Sequence, residues 1–307
     1  GGRSSTEEAV IYDLVLLGGD AETRPTVFVG GRFRLAGLPP AQVTAHHIAK
    51  FDPLQRRWSA LCDPNPPTRC DTGGIGQGPR SATDNSIGEL EYVFALAIHP
   101  ASNRLFVGGI FGTAGQKFDR IQSLAAFDLT TSAWSRVGGG IAGANPTVYS
   151  LHISGDQLWV AGFFAFVGKQ NEDLFVDGIR SPSVASYGLT TGRWTGTGTG
   201  MQSAIVHSVT VDSSGVVYCG GAFTTINTNE PTAGLAKYEG GQWSPMGVEI
   251  LSETGGPGIV YAVLAVDQAI DEVLPSRVLA SDAFALRISS HTLCLTLLPG
   301  LLLLLRV

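Results

Sequence analysis

Short apolar segments of four to seven residues, rich in Val, Ile and aromatics, alternate with polar, glycine-rich stretches along most of the chain. Turn formers such as His99-Pro-Ala-Ser-Asn103, Ser154-Gly-Asp156 and Asp212-Ser-Ser-Gly215 separate them, a pattern that predicts β-strands joined by hairpins. The segments recur in order. VFVGGRF at Val27 to Phe33 returns as LFVGGIF ending at Phe111, LWVAGFF ending at Phe164 and VYCGGAF ending at Phe223, with a decayed copy, VLASDAF, ending at Phe284. Downstream of each intact copy come HIAKFD, SLAAFD, SVASYG and GLAKYE, each followed by a tryptophan: Trp58, Trp134, Trp194 and Trp243. Upstream lie VFALAI from Val93, VYSLHI from Val148 and VHSVTV from Val206, with VIYDLVL from Val10 and VYAVLAV from Val260 as related forms.

Each repeat therefore predicts four strands. Leu105, Phe106 and Val107 are all apolar, as are Leu158, Trp159 and Val160, so the second strand lacks the alternation of a half-exposed sheet and both its faces must be covered. Four-stranded antiparallel sheets stacked face to face around an axis meet that need, whereas a two-sheet sandwich would leave alternate residues polar. The predicted fold is an all-β propeller: four recognisable repeats at about 10–60, 91–140, 147–200 and 205–248, and a degenerate, incomplete fifth at 259–284. The glycine pairs Gly30-Gly31, Gly108-Gly109 and Gly220-Gly221, with Gly162 alone in the third copy, read as structural, through tolerance of positive φ and close approach of a neighbour. The four tryptophans read as structural with them.

These residues resemble kelch-like propeller repeats. VGGxF followed by x-[IL]-A-x-[FY]-D and a tryptophan is similar to the repeats of secreted bacterial proteins and of fungal cortical marker proteins at the cell surface. The resemblance covers residues 10 to about 284 and departs from the pattern at Ser281-Asp282, where the glycines are lost. It implies a propeller fold; propellers host enzymes, lectins, scaffolds and adaptors alike. Four blades and a remnant leave terminal faces to be covered, and a start at Gly1 with neither Met nor a secretion signal favours a fragment of a larger ring. Residues 1–9 are expected to be disordered, and 285–307 form a hydrophobic tail.

Composition narrows the partners. The 307 residues are 44% hydrophobic and 15% charged, with 40 glycines that follow no collagen period, which excludes disorder and fibre. The net charge of −6 and the lack of a basic cluster argue against nucleic acid.

Candidate chemistry is sparse. Gly138, Gly140 and Gly143 satisfy G-x-G-x-x-G, but the next predicted element is a strand, not the helix that holds a pyrophosphate. Gly162 to Gln170 misses a phosphate loop by one residue and by Gln170. G-x-S-x-G, H-E-x-x-H and C-x-x-C are absent. Galactose oxidase, which shares the kelch-like ring, implies a copper site of tyrosines, histidines and a cysteine that cannot be placed here. His207 and His152 fall in apolar strand slots. His46 and His47, on a regular strand, would point to opposite faces. Glu172, Asp173 and Asp177 lack the spacing of a calcium loop. No catalytic, metal or cofactor residues are assigned.

The long connector Leu61 to Glu91 is the first binding candidate, with Asp63, Arg69, Asp71, Arg80 and Asp84 as its charged residues. Cys62 and Cys70 within it are placed to form a disulfide, which would indicate an oxidising compartment. Cys219 replaces a valine of the repeat and reads as a buried thiol. The tail TLCLTLLPGLLLLL, with Cys294, is too short for an ordinary transmembrane helix. It reads as a lipid-anchor signal with Ser281 as the attachment site, as a membrane-associated segment, or as a faulty gene end. The expectation is a non-enzymatic, extracellular or cell-surface module that binds a protein or glycan, with membrane contact through the tail. A galactose-oxidase-like or glycan-processing enzyme and an intracellular kelch adaptor are the alternatives.

Overall fold

The computed structural model describes residues 9–18, 25–62, 74–75, 91–115, 121–168, 178–201, 204–227, 229–248, 250 and 256–265, and the backbone of 285–286, 293–298 and 301–306. Sheet I comprises β1 (Val10–Leu17), β2 (Thr26–Arg32), β3 (Ile48–Asp52) and β4 (Arg57–Ala60). Sheet II comprises β5 (Tyr92–His99), β6 (Arg104–Ile110), β7 (Leu124–Asp128) and β8 (Trp134–Arg136). Sheet III is built from β9 (Thr147–Ser154), β10 (Gln157–Phe163), β11 (Val184–Gly188) and β12 (Trp194–Gly196). Sheet IV is built from β13 (Ile205–Val211), β14 (Val217–Ala222), β15 (Leu235–Glu239) and β16 (Gln242–Pro245). In all four the strands lie in chain order, so the first strand of each is an edge strand.

Sheet V differs. It contains β17 (Ala262–Ala265), β18 (Ala285–Leu286), β19 (Leu293–Leu298) and β20 (Leu301–Arg306), in the order β17-β20-β19-β18. The place beside β17 belongs to β20, with Ala262 opposite Leu304 and Ala265 opposite Leu301. Of this sheet only β17 falls within the incomplete fifth repeat at 259–284, and the other three strands come from 285–306, which includes part of the leucine-rich tail. The repeat signature held no sign of this, because two leucine runs around Pro299-Gly300 have no alternation to read. The decayed copy at 278–284 lies outside the described residues, as do residues 1–8.

The chain forms two compact units, one holding sheets I and II and the other sheets III to V. In the first, Phe28, Ile48, Val93, Leu96, Leu105 and Val107 make a continuous core between the sheets. In the second, Ala161, Val206, Val209, Val217 and Cys219 pack together, and Val260 and Val263 pack on Leu235.

The glycine pairs mark a bulge. In β1 the register passes from Ile11 opposite Gly31 to Asp13 opposite Gly30. The same shift falls between Val93 and Ala95 in β5, and between Val206 and Ser208 in β13. One residue per strand, Tyr12, Phe94 or His207, is left over. A Cβ on Gly31, Gly109 or Gly221 would collide with the backbone carbonyl oxygen of Val10, Tyr92 or Ile205. These glycines are not in the left-handed region; the absence of a Cβ opposite the bulge is what the site requires, and the expected positive φ is not found. It lies instead at His47 (φ 68°), Ser123 (60°), Ser183 (64°) and Gly234 (74°). The carbonyls of those four residues accept from Gly31, Gly109, Gly162 and Gly221 at 2.9–3.0 Å.

Each tryptophan packs on the aromatic residue before it, with centroids 4.9–5.1 Å apart in the pairs Phe51–Trp58, Phe127–Trp134, Tyr187–Trp194 and Tyr238–Trp243. Trp134 Nε1 donates to the Leu61 carbonyl at 3.3 Å and Trp243 Nε1 to that of Thr197 at 3.1 Å, in each case the segment after the preceding sheet's last strand.

Candidate functional site

In three repeats the bulge sets one side chain, Tyr12, Phe94 or His207, apart from the hydrogen-bonding register, and each meets aromatic rings of neighbouring repeats. In the first unit the rings of Tyr12 and Phe94 are 5.0 Å apart, with Tyr92 joining at 6.4 Å from Tyr12 and 6.0 Å from Phe94. The Arg32 guanidinium stands 5.8 Å over the Tyr92 ring, and His47 meets that ring edge-on at 6.2 Å. In the second unit Tyr149, which holds the same repeat position as Phe94, lies 5.1 Å from His207, and His207 lies 4.9 Å from Tyr261. Tyr12 and Tyr261 are 45% and 47% exposed, large values for residues of this size next to a packed core.

Burial keeps the histidines of these rows neutral at neutral pH. Burial lowers the pKa of His207 and of His152 below the usual imidazole range. His47 is brought down to about 4, by burial first and by His46 beside it; its Nδ1 has no partner among the described residues. Asp13, next to Tyr12, has its pKa raised by burial, and its two oxygens accept from the amides of Leu14 at 2.8 Å and Leu96 at 2.7 Å. The rows thus offer flat apolar faces, tyrosine hydroxyls and neutral imidazole. Such a surface can pack on an apolar side chain or the C–H face of a sugar while donating hydrogen bonds at its rim.

The sequence-derived candidates are placed as follows. Cys62 is disulfide-bonded; Cys70 lies outside the described residues, as do Asp63, Arg69, Asp71, Arg80, Asp84 and Ser281, and also Glu172, Asp173 and Asp177. The connector from Leu61 to Glu91 returns to the core midway. Ile75 is fully buried, bridges to Ala114 and donates its amide to the His46 carbonyl at 3.1 Å. His46 and His47 both have positive φ (39° and 68°), so the pair sits in a turn and not on a regular strand. Among the described residues no three metal-ligating side chains gather. Cys219 is buried, free and raised in pKa by that burial.

Two devices went unread in the sequence. The first is a link from sheet to sheet: Ser150 Oγ accepts from Val209 N at 3.2 Å, and Ser208 Oγ accepts from Val263 N at 3.0 Å, as Asp13 accepts from Leu96 N. The residue after the bulge aromatic, Asp or Ser in three repeats, was the available signal. The second is a left-handed residue four places after the closing phenylalanine, Gly37, Gly115, Gly168 or Asn227. A Cβ on Gly37 or Gly115 would stand 3.2 or 2.6 Å from the Cδ1 of Trp58 or Trp134. Asn227 instead donates to the Trp243 carbonyl at 3.2 Å.

A family model described as the Rax2 C-terminal beta propeller domain matches residues 80–260, more than half of the chain. No curated protein matches. Among solved structures, the chain is similar to the GH74 xyloglucanase from Xanthomonas campestris, with 16% identity, a TM-score of 0.43, and coverage of 78% of this chain and 32% of that one. It is also similar to the β-propeller domain of Cps50 (Swd1) from Myceliophteria thermophila, with 14% identity, a TM-score of 0.36, and coverage of 83% and 64%. The chain spans about a third of the first protein and under two thirds of the second.

Proposed function

Because the chain belongs to the Rax2 C-terminal β-propeller domain family, we propose that it is a non-enzymatic binding or scaffold module of kelch-like repeat type that holds a protein or glycan outside the cell or at its surface. The observation that carries this reading is an exposed aromatic row in each unit, Tyr12 with Phe94 in one and Tyr149-His207-Tyr261 in the other. Aromatic side chains on a rigid strand lose little freedom when they bind and dominate the energetics of recognition surfaces. The bonded state of Cys62 supports an oxidising compartment.

The test compares the chain with its Tyr12→Ala and Tyr261→Ala variants against a panel of neutral oligosaccharides and extracellular proteins. A ligand that uses an aromatic row loses about tenfold or more in affinity in at least one variant, the range of a truncated anchor residue. Full retention by both variants places binding elsewhere. Turnover of a bound oligosaccharide would put the glycan-processing reading first.

A further inference from the structure

Equivalent positions of the repeat can be compared directly, and the junction between sheets I and II, within the first unit, departs from the pattern three times. The residue before the closing phenylalanine is Arg32 in the first copy and Ile110, Phe163 or Ala222 in the others. The left-handed residue whose carbonyl accepts from a glycine of the second strand is His47 in the first repeat and Ser123, Ser183 or Gly234 elsewhere. Tyr92 opens β5, whereas β1, β9 and β13 open with Val10, Thr147 and Ile205.

These three departures converge on one ring. The Arg32 guanidinium lies 5.8 Å over the Tyr92 centroid, and His47 meets the ring edge-on at 6.2 Å, with Phe94 beside it at 6.0 Å. Arg32, His47 and Tyr92 are all half-buried and keep some surface open to solvent. The fold does not ask for them. Ser123 Oγ donates to the Pro146 carbonyl and Ser183 Oγ to that of Ala204, in each case the residue before the next sheet's first strand. His47 holds the same position, yet its Nδ1 is buried with no partner among the described residues. A buried polar atom left unmatched carries a cost that serine would avoid. A position that breaks the local rule at such a cost is where function is expected.

The chemistry of the junction indicates its ligand. A guanidinium carries five N–H donors in a fork, so Arg32 can serve a carboxylate while keeping the contacts it has. Arg34 adds to the positive potential felt at His47. A neutral imidazole can carry its proton on Nδ1 and donate there, and aromatic rings suit the flat C–H face of a sugar. We propose that the junction of sheets I and II binds an acidic sugar, a uronate whose carboxylate accepts from Arg32 and His47 Nδ1 and whose ring packs on Tyr92 and Phe94. The assignment rests on the binding reading above and narrows it for the first unit. In the second unit the positions of Arg32 are held by Phe163 and Ala222, so its row carries no matching charge.

Calorimetry on the whole chain tests the proposal with short oligomers of galacturonate and of glucuronate, their methyl esters and the neutral parent sugars. At least one acid binds about tenfold or more tightly than its ester, the worth of a hydrogen bond to a charged group. Arg32→Ile and His47→Ser each install the residue that another repeat carries at that position, Ile110 or Ser123, and unfolding midpoints confirm that both variants are folded. Arg32→Ile abolishes the preference for the acid, and His47→Ser reduces it. Acid and ester bound alike, a preference that survives both changes, or no binding of any acid overturns the assignment. The broader reading fails separately: it stands if Tyr12→Ala or Tyr261→Ala weakens a neutral or protein ligand, whatever the acids do.

Discussion

Replacing Gly221 by alanine should unfold the chain far more readily than any neighbouring change. Gly221 lies opposite Val206 at the bulge, and an added Cβ would collide with the Ile205 carbonyl oxygen while standing 2.9 Å from the Val206 Cα. The obstacle is backbone and cannot be relieved by rotating a side chain. Gly221 cannot swing away without losing its own bond to Gly234 (2.9 Å) and the one it accepts from Val260 (3.1 Å). Overpacking costs about 1–3 kcal/mol, and two lost hydrogen bonds add about 1 kcal/mol each, so the expected loss is about 3–5 kcal/mol. Gly220→Ala meets only the Val260 and Val263 methyls, at 2.5 and 2.6 Å, and should cost about 1–3 kcal/mol. Gly112 has nothing within 4 Å, so Gly112→Ala should stay within about 0.5 kcal/mol. Urea unfolding followed by tryptophan fluorescence gives all three values by linear extrapolation. The reasoning fails if Gly221→Ala falls within about 1 kcal/mol of Gly112→Ala, or if Gly220→Ala proves the more damaging of the pair.

Two further expectations concern pH. The Asp13 carboxyl is raised above its ordinary pKa by burial, so the unfolded chain gives up that proton first, and stability falls as pH rises from 3.8 through the folded value. Asp13→Ser keeps an acceptor for the Leu96 amide, as Ser150 and Ser208 do for theirs, and should remove that fall; an unchanged slope in acid urea titrations would count against it. His47 has the opposite sign: its folded pKa of about 4 lies below the ordinary 6.5, so stability is full above pH 6.5 and drops as pH falls toward 4. His47→Ser places there the residue that Ser123 and Ser183 supply at the same left-handed φ, and its unfolding midpoint should change less than that of the wild type between pH 7 and pH 5.

The repeat was legible because its residues face constraints that do not depend on distant sequence. A missing Cβ opposite the bulge, a tryptophan on an aromatic neighbour and a strand covered on both faces each leave a local mark in composition, and together they predict the four-stranded sheets. Sheet V was not legible for the converse reason. Val278 to Phe284 carries the local mark of a second strand, yet the place beside β17 belongs to Leu301–Arg306, drawn from a run of leucines with no periodicity to assign it. The role of the charged connector residues was read from loop length alone, and they lie outside the described residues, whereas Ile75 in the same connector is core.

The aromatic rows were half visible. His207 falls in the slot of Phe94 and Tyr149, and the sequence places it there as a packed strand residue, because a strand residue normally points into a sheet face. The bulge changes that assignment: the slot residue is counted twice against one partner glycine, drops out of the ladder and is re-aimed toward the strand edge. Its neighbours on either side are fixed by the glycine pair and by the link to the next sheet. The slot itself bears neither demand, which is why it can hold Tyr, Phe or His in different repeats without loss of the fold. Variation confined to one geometrically freed position, within a repeat otherwise held by sterics, is where a recognition surface can diverge at least cost to stability. On the proposed binding reading, a ligand is to be sought at these aromatic rows, with the glycines and tryptophans acting as the frame that presents them.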